Sequence, residues 1–241
     1  MEKSLKEKFV PIISIDGPSG SGKSSLAKAI AKRLNWNLLD SGAIYRVCAY
    51  LLLRNKIPIP NCKEVVKLIR GAKFQIRVTS SNEILIRFQG KYQNSFELSQ
   101  EIRTEEVSRV ASLIAADSEI REILIESQRS FARFPGLVAE GRDMGTVIFP
   151  EAILKIYLTA DLSARSKRRF FQVKKPENPE KVDQDSIEKE IRARDQRDCL
   201  REFAPLKRAK DAIIIDNSKM SLKLVLEKVY ELAILNLSQR P

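Results

Sequence analysis

The chain has 241 residues, of which 43% are apolar, so it is long enough for one large α/β domain or for a core with an insertion. Lysine and arginine number 43 against 31 aspartate and glutamate, and the net charge of +12 favours anionic partners such as nucleotides. The sequence contains no histidine, which excludes histidine general bases, Ser-His-Asp triads and histidine metal sites. Any catalysis therefore relies on lysine, arginine, carboxylates and a metal bound through oxygen.

The cysteines and the apolar runs predict where the protein resides. Cys48, Cys62 and Cys199 are odd in number and lack C-x-x-C spacing, which indicates a reducing compartment and no disulfide framework or zinc site. Residues 1–8 alternate in charge and lack the apolar core of a signal peptide. No apolar run approaches the roughly 20 residues needed to cross a bilayer. We therefore expect a cytoplasmic protein without membrane association.

A glycine-rich loop, Gly17-Pro-Ser-Gly-Ser-Gly-Lys23-Ser24, fits the G-x-x-x-x-G-K-[ST] pattern of a P-loop. A β-branched apolar run over 9–15 predicts a strand before it, and helical spacing over 24–34 predicts a helix after it. This order gathers free backbone N–H groups and a helix N-terminus around one point, which suits polyphosphate. Lys23 is predicted to reach the β- and γ-phosphates, and Ser24 to offer its hydroxyl to Mg²⁺. The predicted ATP-binding residues of the loop are Gly17, Pro18, Ser19, Gly20, Ser21, Gly22, Lys23, Ser24 and Ser25.

Next along the chain, residues 36–40 predict a second strand, and Asp40 or Ser41 is suited to cap a helix that runs to about residue 53. Arg46 lies one turn into that helix, at the carboxyl end of the strand, where parallel α/β sheets collect their ligands. Arg46 is therefore a candidate to hold a second anion near the first. A solvated surface arginine is the alternative.

The pattern then changes to antiparallel β-structure. A short helix is predicted over 61–71, alternating runs over 74–78 and 84–88 flank a polar turn and predict a hairpin, and a third strand is predicted near 92–96. The rest of the chain alternates strand and helix. We therefore predict a small inserted subdomain over 63–103, within a core formed by 9–62 and 104–241.

The remaining pattern returns to alternating helix and strand. The predicted helices cover 103–134, 162 onward, 186–203 and 221–237, and the predicted strands cover 137–141, 153–158 and 211–215. Arg142 and Asp143 follow the strand over 137–141, again at the ligand edge. The helix from Leu162 is strongly basic, and residues 174–180 are predicted to form a loop.

The helix predicted over 186–203 has one face of changing character. Its members share a face at i, i+4, i+7, i+11 and i+14: Ile187, Ile191, Arg194, Asp198 and Arg201. Because this face begins apolar and ends charged, we expect its first half to pack on the core and its second half to line a cleft. Salt bridges of Asp198 with Arg194 and Arg201 are an alternative that is compatible with the first.

Five arginines fall on predicted ligand-edge or cleft positions: Arg46, Arg142, Arg168, Arg194 and Arg201. Arginine forks bind phosphate oxygens in bidentate geometry, and such residues offset the repulsion between two anionic phosphates. The N-K-x-D guanine signature of a GTPase is absent. The pattern therefore favours phosphoryl transfer to a small phosphorylated acceptor. A P-loop NTPase acting on or with nucleic acid stays the alternative because of the high positive charge.

The sequence resembles bacterial cytidylate kinases over nearly the whole chain, and four stretches carry the resemblance. They are residues 12–47, 101–107, 136–149, and 194–198 with 204–206. The runs D-S-G-A-I-Y-R and G-R-D-M-G-T are far more specific than the P-loop alone. The resemblance implies a P-loop NTPase of the nucleoside monophosphate kinase fold, an α/β fold with a five-stranded parallel sheet flanked by helices. It also implies a small antiparallel β insert in the monophosphate-binding subdomain and a short mobile lid over about 162–182.

The resemblance further implies the reaction of ATP with CMP or dCMP to give ADP and CDP or dCDP, with Mg²⁺ and a monomeric enzyme. No stable nucleic-acid partner is expected. The implied acceptor-site residues are Ser41, Arg46 and Arg142 for the phosphate, Ser112, Arg121 and Asp143 for cytosine, Arg194, Asp198 and Arg201 for ribose and phosphates, and Arg103. The implied lid residues over ATP are Arg165, Arg168 and Arg169, and the implied catalytic residues are Lys23, Arg142, Arg168 and Arg194.

The implied base-reading residues make chemical sense, because cytosine offers an amino donor at N4 that a carboxylate such as Asp143 accepts, whereas uracil offers an acceptor there. From its sequence context alone, Ser112 would instead be a small helix-packing residue. Asn217 stands where the family resemblance predicts serine or threonine, and the segment over 174–181 is rich in Lys, Glu and Pro. Neither departure is expected to touch the site.

Overall fold

The computed structural model describes residues 9–58, 62–79, 83–90, 95–173 and 183–239. The strands are β1 (Ile12–Asp16), β2 (Asn37–Asp40), β3 (Lys73–Val78), β4 (Ile84–Gln89), β5 (Phe96–Leu98), β6 (Leu137–Gly141), β7 (Leu154–Thr159) and β8 (Ile213–Asp216). The helices are α1 (Lys23–Leu34), α2 (Ser41–Arg54), α3 (Cys62–Ile69), α4 (Glu105–Ile114), α5 (Ser118–Arg129), α6 (Leu162–Val173), α7 (Gln184–Leu200) and α8 (Leu222–Ser238). The predicted fold class, a five-stranded parallel sheet flanked by helices, is confirmed.

The central sheet has the strand order β2-β6-β1-β7-β8, and all four pairings are parallel. Every residue of β1 and of β6 is buried, as expected for parallel strands covered on both faces. Helix α1 packs against β6 and α8, and α8 also packs against β7, while α2 packs against β6 and α4. The carboxyl ends of the strands therefore meet at one edge, which carries the P-loop.

A second sheet of three antiparallel strands has the order β3-β4-β5, as the alternating pattern predicts. Rings from the three strands pack together: Phe74 lies 5.4 Å and Phe96 lies 5.3 Å from Phe88, centroid to centroid. The third strand begins at Phe96 and so lies later than predicted. The polar turn over 80–82, residues 91–94 and the predicted loop over 174–180 lie outside the described residues.

The prediction of a single helix over 103–134 is wrong, because the structure has two helices there, α4 and α5. The chain turns between them, and the Asp117 side chain accepts a hydrogen bond from the Ile120 N–H at 3.0 Å. This bond caps α5, since a short acidic side chain satisfies N–H groups that the first helical turn leaves free. In the described part of the chain, no helix is long and apolar enough to cross a membrane.

The Asp117 cap leads to a test of the helix break. Replacing Asp117 with alanine is expected to lower the free energy of unfolding by about 1 kcal/mol, because an N–H at the start of α5 loses its acceptor. Urea denaturation followed by circular dichroism measures the change. Glu122→Ala, at an exposed position of α5, is the matched control. Equal stability of both variants and the wild type would contradict the role of the cap.

Candidate active site

The P-loop joins β1 to α1 and is held against β7. Gly17 has φ +150°, and a Cβ added there would lie 2.0 Å from the carbonyl oxygen of Leu158, so only glycine fits this close approach. Helix α1 begins at Lys23, directly after Gly22. The free N–H groups of its first turn therefore face the space above the sheet edge, as the sequence pattern predicts.

A cavity of about 560 Å³ opens over the P-loop and extends toward α2, α4 and α7. The structure brings most of the predicted site residues to its wall: Ser19, Gly20, Gly22, Lys23, Ser24, Ser25, Ser41, Arg46, Ser112, Arg121, Arg142, Asp143, Arg168, Arg169, Arg194, Asp198 and Arg201. Five of the predicted residues do not line it: Gly17, Pro18, Ser21, Arg103 and Arg165.

Two of these five are arginines with other partners. Arg103 is exposed, and its Nε donates to the Ser99 carbonyl at 3.2 Å. Arg165 is nearly buried in α6, where it donates to the carbonyls of Ser19 and Ala160 at 2.9 and 3.0 Å and forms an ion pair with Asp195. The predicted direct contacts of Arg103 with CMP and of Arg165 with ATP therefore lack support from the geometry.

Lys23 lies inside the curve of the P-loop. Its Nζ donates to the Pro18 carbonyl at 2.7 Å and to the Ser21 Oγ at 3.4 Å, and the residue is 5% exposed. Burial and the nearby Arg142 guanidinium lower the pKa of Lys23. The ammonium group is thus short of negative charge, which a phosphate in the cavity would supply.

Ser24 has a carboxylate partner that the sequence reasoning missed. Its hydroxyl donates to Glu140 Oε1 at 2.5 Å, and Glu140 is buried near the end of β6. Burial and repulsion from Asp40 raise the pKa of Glu140. The only signal in the sequence was the position of Glu140 beside Arg142 and Asp143 at the ligand edge. A hydroxyl and a carboxylate are the oxygen ligands that Mg²⁺ prefers, so this pair fits the predicted metal.

Arginines dominate the part of the cavity beyond the P-loop. Arg142 donates through Nε to Asp198 Oδ2 at 2.7 Å, and Arg46 Nη2 to Asp40 Oδ2 at 3.2 Å. Burial and repulsion from Arg142 lower the pKa of Arg194 to about 10, and Arg46 adds to the effect. Such crowding of like charges is unfavourable unless anions bind among them. The region is therefore suited to phosphate, which favours the ligand-binding interpretation of Arg46 over the surface one.

Helix α7 presents the mixed face that its spacing predicts. Ile187 and Ile191 are buried, while Asp198 and Arg201 reach the cavity. Burial disfavours the charge on Asp198, but Arg142 and Arg194 outweigh that effect and hold the pKa of Asp198 below its usual value. The Asp198 Oδ1 also lies 3.8 Å from Arg201 Nη1. The cleft-lining interpretation of this face therefore holds, whereas of the two predicted salt bridges the described residues show the one between Asp198 and Arg201 and not the one between Asp198 and Arg194.

At the far end of the cavity, Asp143 forms a buried ion pair with Arg121, and its second oxygen lies 3.8 Å from Arg201 Nη2. The Tyr45 hydroxyl is buried near this pair without a hydrogen-bond partner among the described residues, and Tyr45 also lines the cavity. Ser112 Oγ accepts from Arg197 Nε at 3.3 Å. The sequence reasoning missed Tyr45 and Arg197. The sequence offers one indication of them, which is that they directly precede Arg46 and Asp198.

The loop that carries Asp143 is held by β1. Residues Met144–Ile148 form a wide helical turn, in which the Ile148 and Phe149 N–H groups donate five residues back, at 3.2 and 2.7 Å. The Asp16 carboxylate accepts from the Met144 and Gly145 N–H groups, both at 2.8 Å. Burial raises the pKa of Asp16 to about 6, although these two N–H bonds oppose the rise. Asp16 thus fixes the turn relative to the P-loop.

The expectation that Asn217 lies away from the site is wrong. Its Nδ2 donates to the Ser21 carbonyl at 2.9 Å, and its Oδ1 and main-chain oxygen accept from Arg168 at 2.9 and 2.7 Å. The reason is topological, because β8 ends at Asp216 on the same edge as the P-loop, so the next residue meets the loop. Asn217 therefore connects the P-loop to α6.

Comparisons with known proteins agree with this geometry. The family model described as cytidylate kinase matches residues 13–234. The chain is 46% identical over 228 residues to the cytidylate kinase of Pseudomonas fluorescens (strain Pf0-1), a match that covers 94% of this chain and 96% of the relative. It is 44% identical over 223 residues to the cytidylate kinase of Pseudomonas paraeruginosa (strain DSM 24068 / PA7), covering 91% and 93%. The cytidylate kinase of Salmonella choleraesuis (strain SC-B67) is 42% identical over 226 residues, covering 93% and 96%.

Proposed function

Because this chain belongs to the cytidylate kinase family, we infer that it transfers a phosphoryl group from ATP to CMP or dCMP, giving ADP and CDP or dCDP. The observation that carries this inference is the continuous cavity of about 560 Å³. One end of it is the P-loop, and the other end holds a cluster of arginines and the buried Arg121–Asp143 pair. A triphosphate and a monophosphate therefore have separate places within one continuous cavity.

The donor occupies the P-loop in this proposal. The N–H groups at the start of α1 and the Lys23 ammonium bind the ATP phosphates, for which Lys23 exchanges its contact with the Pro18 carbonyl. Arg168 and Arg169 of α6 approach from the lid side, and both line the cavity. Residues 162–182 act as the lid in this proposal, and the insert over 63–103 belongs to the acceptor side.

Mg²⁺ is the proposed cofactor, bound with ATP. The Ser24 hydroxyl and the Glu140 carboxylate, already in contact, would hold it together with phosphate oxygens and water. When bound, the ion neutralises charge on the transferring phosphoryl group. The raised pKa of Glu140 fits this role, since burial leaves the carboxylate in need of a cation.

The acceptor occupies the arginine cluster. Ser41, Arg46 and Arg142 bind its phosphate, while Arg194 lies where charge from both phosphates converges. Asp198 and Arg201 reach the ribose. Ser112, Arg121 and Asp143 contact the base, with Asp143 accepting from the cytosine amino group.

No protein general base is required for this reaction, because the acceptor phosphate is already ionised near neutral pH. The protein contributes position and charge neutralisation: it brings the two phosphates into line and surrounds them with Lys23, Arg142, Arg168 and Arg194. The absence of histidine from the sequence is consistent with such a mechanism. We propose that the enzyme works as a cytoplasmic monomer and has no stable nucleic-acid partner.

The direct test is an ADP-release assay with ATP and Mg²⁺ across CMP, dCMP, UMP, AMP, GMP and dTMP. Rapid turnover confined to CMP and dCMP is expected, and chelation of Mg²⁺ is expected to abolish it. Turnover that favours a different monophosphate would retain the P-loop roles and reject Asp143 as the base reader. No turnover with any monophosphate, together with salt-sensitive binding of RNA or DNA, would favour the nucleic-acid alternative.

A further inference from the structure

Asp195 stands beside the acceptor residues on α7 but faces a different partner. Its neighbours Arg194 and Asp198 line the cavity, whereas Asp195 does not. Its Oδ1 accepts a hydrogen bond from the N–H of Ser19, the third residue of the P-loop, at 2.9 Å. Its Oδ2 forms an ion pair with the Arg165 guanidinium. One helix thus carries both the acceptor side chains and a contact to the donor loop.

Asp195 and Arg165 together fix both polar main-chain atoms of Ser19. Arg165 Nη1 donates to the Ser19 carbonyl at 2.9 Å, and its Nε donates to the Ala160 carbonyl at 3.0 Å. The side chains of Asp195 and Arg165 are only 17% and 10% exposed, so solvent screens their attraction less than at the surface. Gly20 follows directly, and a Cβ added there would lie 3.2 Å from the Cβ of Arg165. The P-loop therefore lies packed between α6 and α7 at this point.

We propose that Asp195 is a positioning residue: with Arg165 it holds the P-loop in the conformation that receives the ATP phosphates, and it ties that conformation to the acceptor helix α7. The proposal rests on the placement of ATP on the P-loop made above. Asp195 itself touches neither nucleotide.

A competing view is that the Asp195 carboxylate stands in for a phosphate and must leave when ATP binds. Two observations favour the positioning role. Neither Asp195 nor Arg165 lines the cavity, and the cation that faces the phosphate position, Lys23, bonds instead to Pro18 and Ser21. The two views predict opposite changes in ATP affinity, so they can be separated.

The test compares Asp195→Asn and Asp195→Ala with the wild-type protein. Dissociation constants for a non-hydrolysable ATP analogue and for CMP are measured by calorimetry, and kcat and KM for each substrate by ADP release. We expect Asp195→Ala to weaken ATP-analogue binding and raise the KM for ATP about tenfold, because a charge-assisted anchor of the loop is lost. Asp195→Asn retains an oxygen for the Ser19 N–H and is expected to show a smaller rise. The dissociation constant for CMP should change less than threefold in both variants, a margin that allows for small indirect effects of the substitution on α7.

Glu188→Gln is the matched control, because it also removes an α7 carboxylate that pairs with an arginine, in this case the exposed Arg192. It is expected to leave both affinities unchanged. Tighter binding of the ATP analogue by the Asp195 variants would overturn the proposal in favour of the stand-in view. Lower thermal stability with unchanged ATP affinity would overturn it in favour of a purely structural role. If the ATP analogue does not bind to the wild-type protein at all, the placement of ATP on the P-loop is rejected instead, and the proposal with it.

Discussion

Replacing Lys23 with alanine is expected to lower kcat by about a hundred- to a thousandfold, the usual loss when a preorganised group that stabilises transition-state charge is removed. Lys23 is 5% exposed and is held within the P-loop by the Pro18 carbonyl and Ser21. In the proposed mechanism, the ammonium group is therefore already positioned where charge develops on the transferring phosphoryl group. When ATP binds, the Lys23 ammonium needs only to change its hydrogen-bond acceptor, from the Pro18 carbonyl to a phosphate oxygen.

Steady-state kinetics with saturating ATP and CMP measure this loss. Lys32→Ala, an exposed position in the last turn of α1, is the control and should retain wild-type kcat. Thermal unfolding of both variants shows whether the fold is intact. Turnover of Lys23→Ala within a fewfold of wild type would remove Lys23 from the mechanism. A change confined to the KM for ATP would assign it to ground-state binding alone.

Much of the fold can be read from the sequence because its strongest signals are local. The P-loop lies between a buried strand and an amphipathic helix, and each of these needs only a few neighbouring residues to be recognised. The antiparallel insert is equally local, since strands β3 and β4 alternate around one turn. The break at Asp117 was missed because it contains neither glycine nor proline, and the capping bond shows itself only in the structure.

The wide turn over Met144–Ile148 was missed for the opposite reason, because it depends on a distant part of the chain. The Asp16 carboxylate, on β1, accepts from the N–H groups of Met144 and Gly145, 128 and 129 residues away. No local pattern around residue 144 indicates that acceptor. The turn is nevertheless important for the site, because it begins directly after Asp143, and the Asp143 carbonyl accepts from the N–H groups of Val147 and Ile148.

In the candidate site, too, local features could be predicted from the sequence and contacts between distant parts of the chain could not. Residue types that follow strand ends, such as Arg142 and Asp143, are recognisable because parallel sheets collect ligands there. Supporting contacts are not, since they join elements far apart in the sequence. Ser19 and Asp195 are 176 residues apart, and Ser21 and Asn217 are 196 apart. Asn217 in particular was expected not to touch the site, as a departure from the serine or threonine that the family resemblance predicts, whereas the end of β8 brings it to the P-loop.

The second large effect is expected for Asp143→Asn. This change should lower the preference for CMP over UMP, expressed as a ratio of kcat/KM values, by about ten- to a hundredfold. The carboxylate only accepts hydrogen bonds and so matches the cytosine amino group, whereas an asparagine amide can also donate to the uracil oxygen. The substitution also leaves the buried Arg121 without its counter-charge, so lower stability should accompany it.

Parallel kinetics with CMP and UMP separate these two consequences. A loss of stability alone reduces the turnover of both substrates equally and leaves their ratio unchanged, whereas loss of the base reader changes the ratio. Asp185→Asn, an exposed aspartate in the first turn of α7, controls for the removal of one negative charge and should alter neither. An unchanged ratio in Asp143→Asn would leave the Arg121–Asp143 pair a structural feature of the cavity wall. Selectivity would then have to come from Ser112, Arg201 or the Tyr45 hydroxyl, all of which line the same cavity.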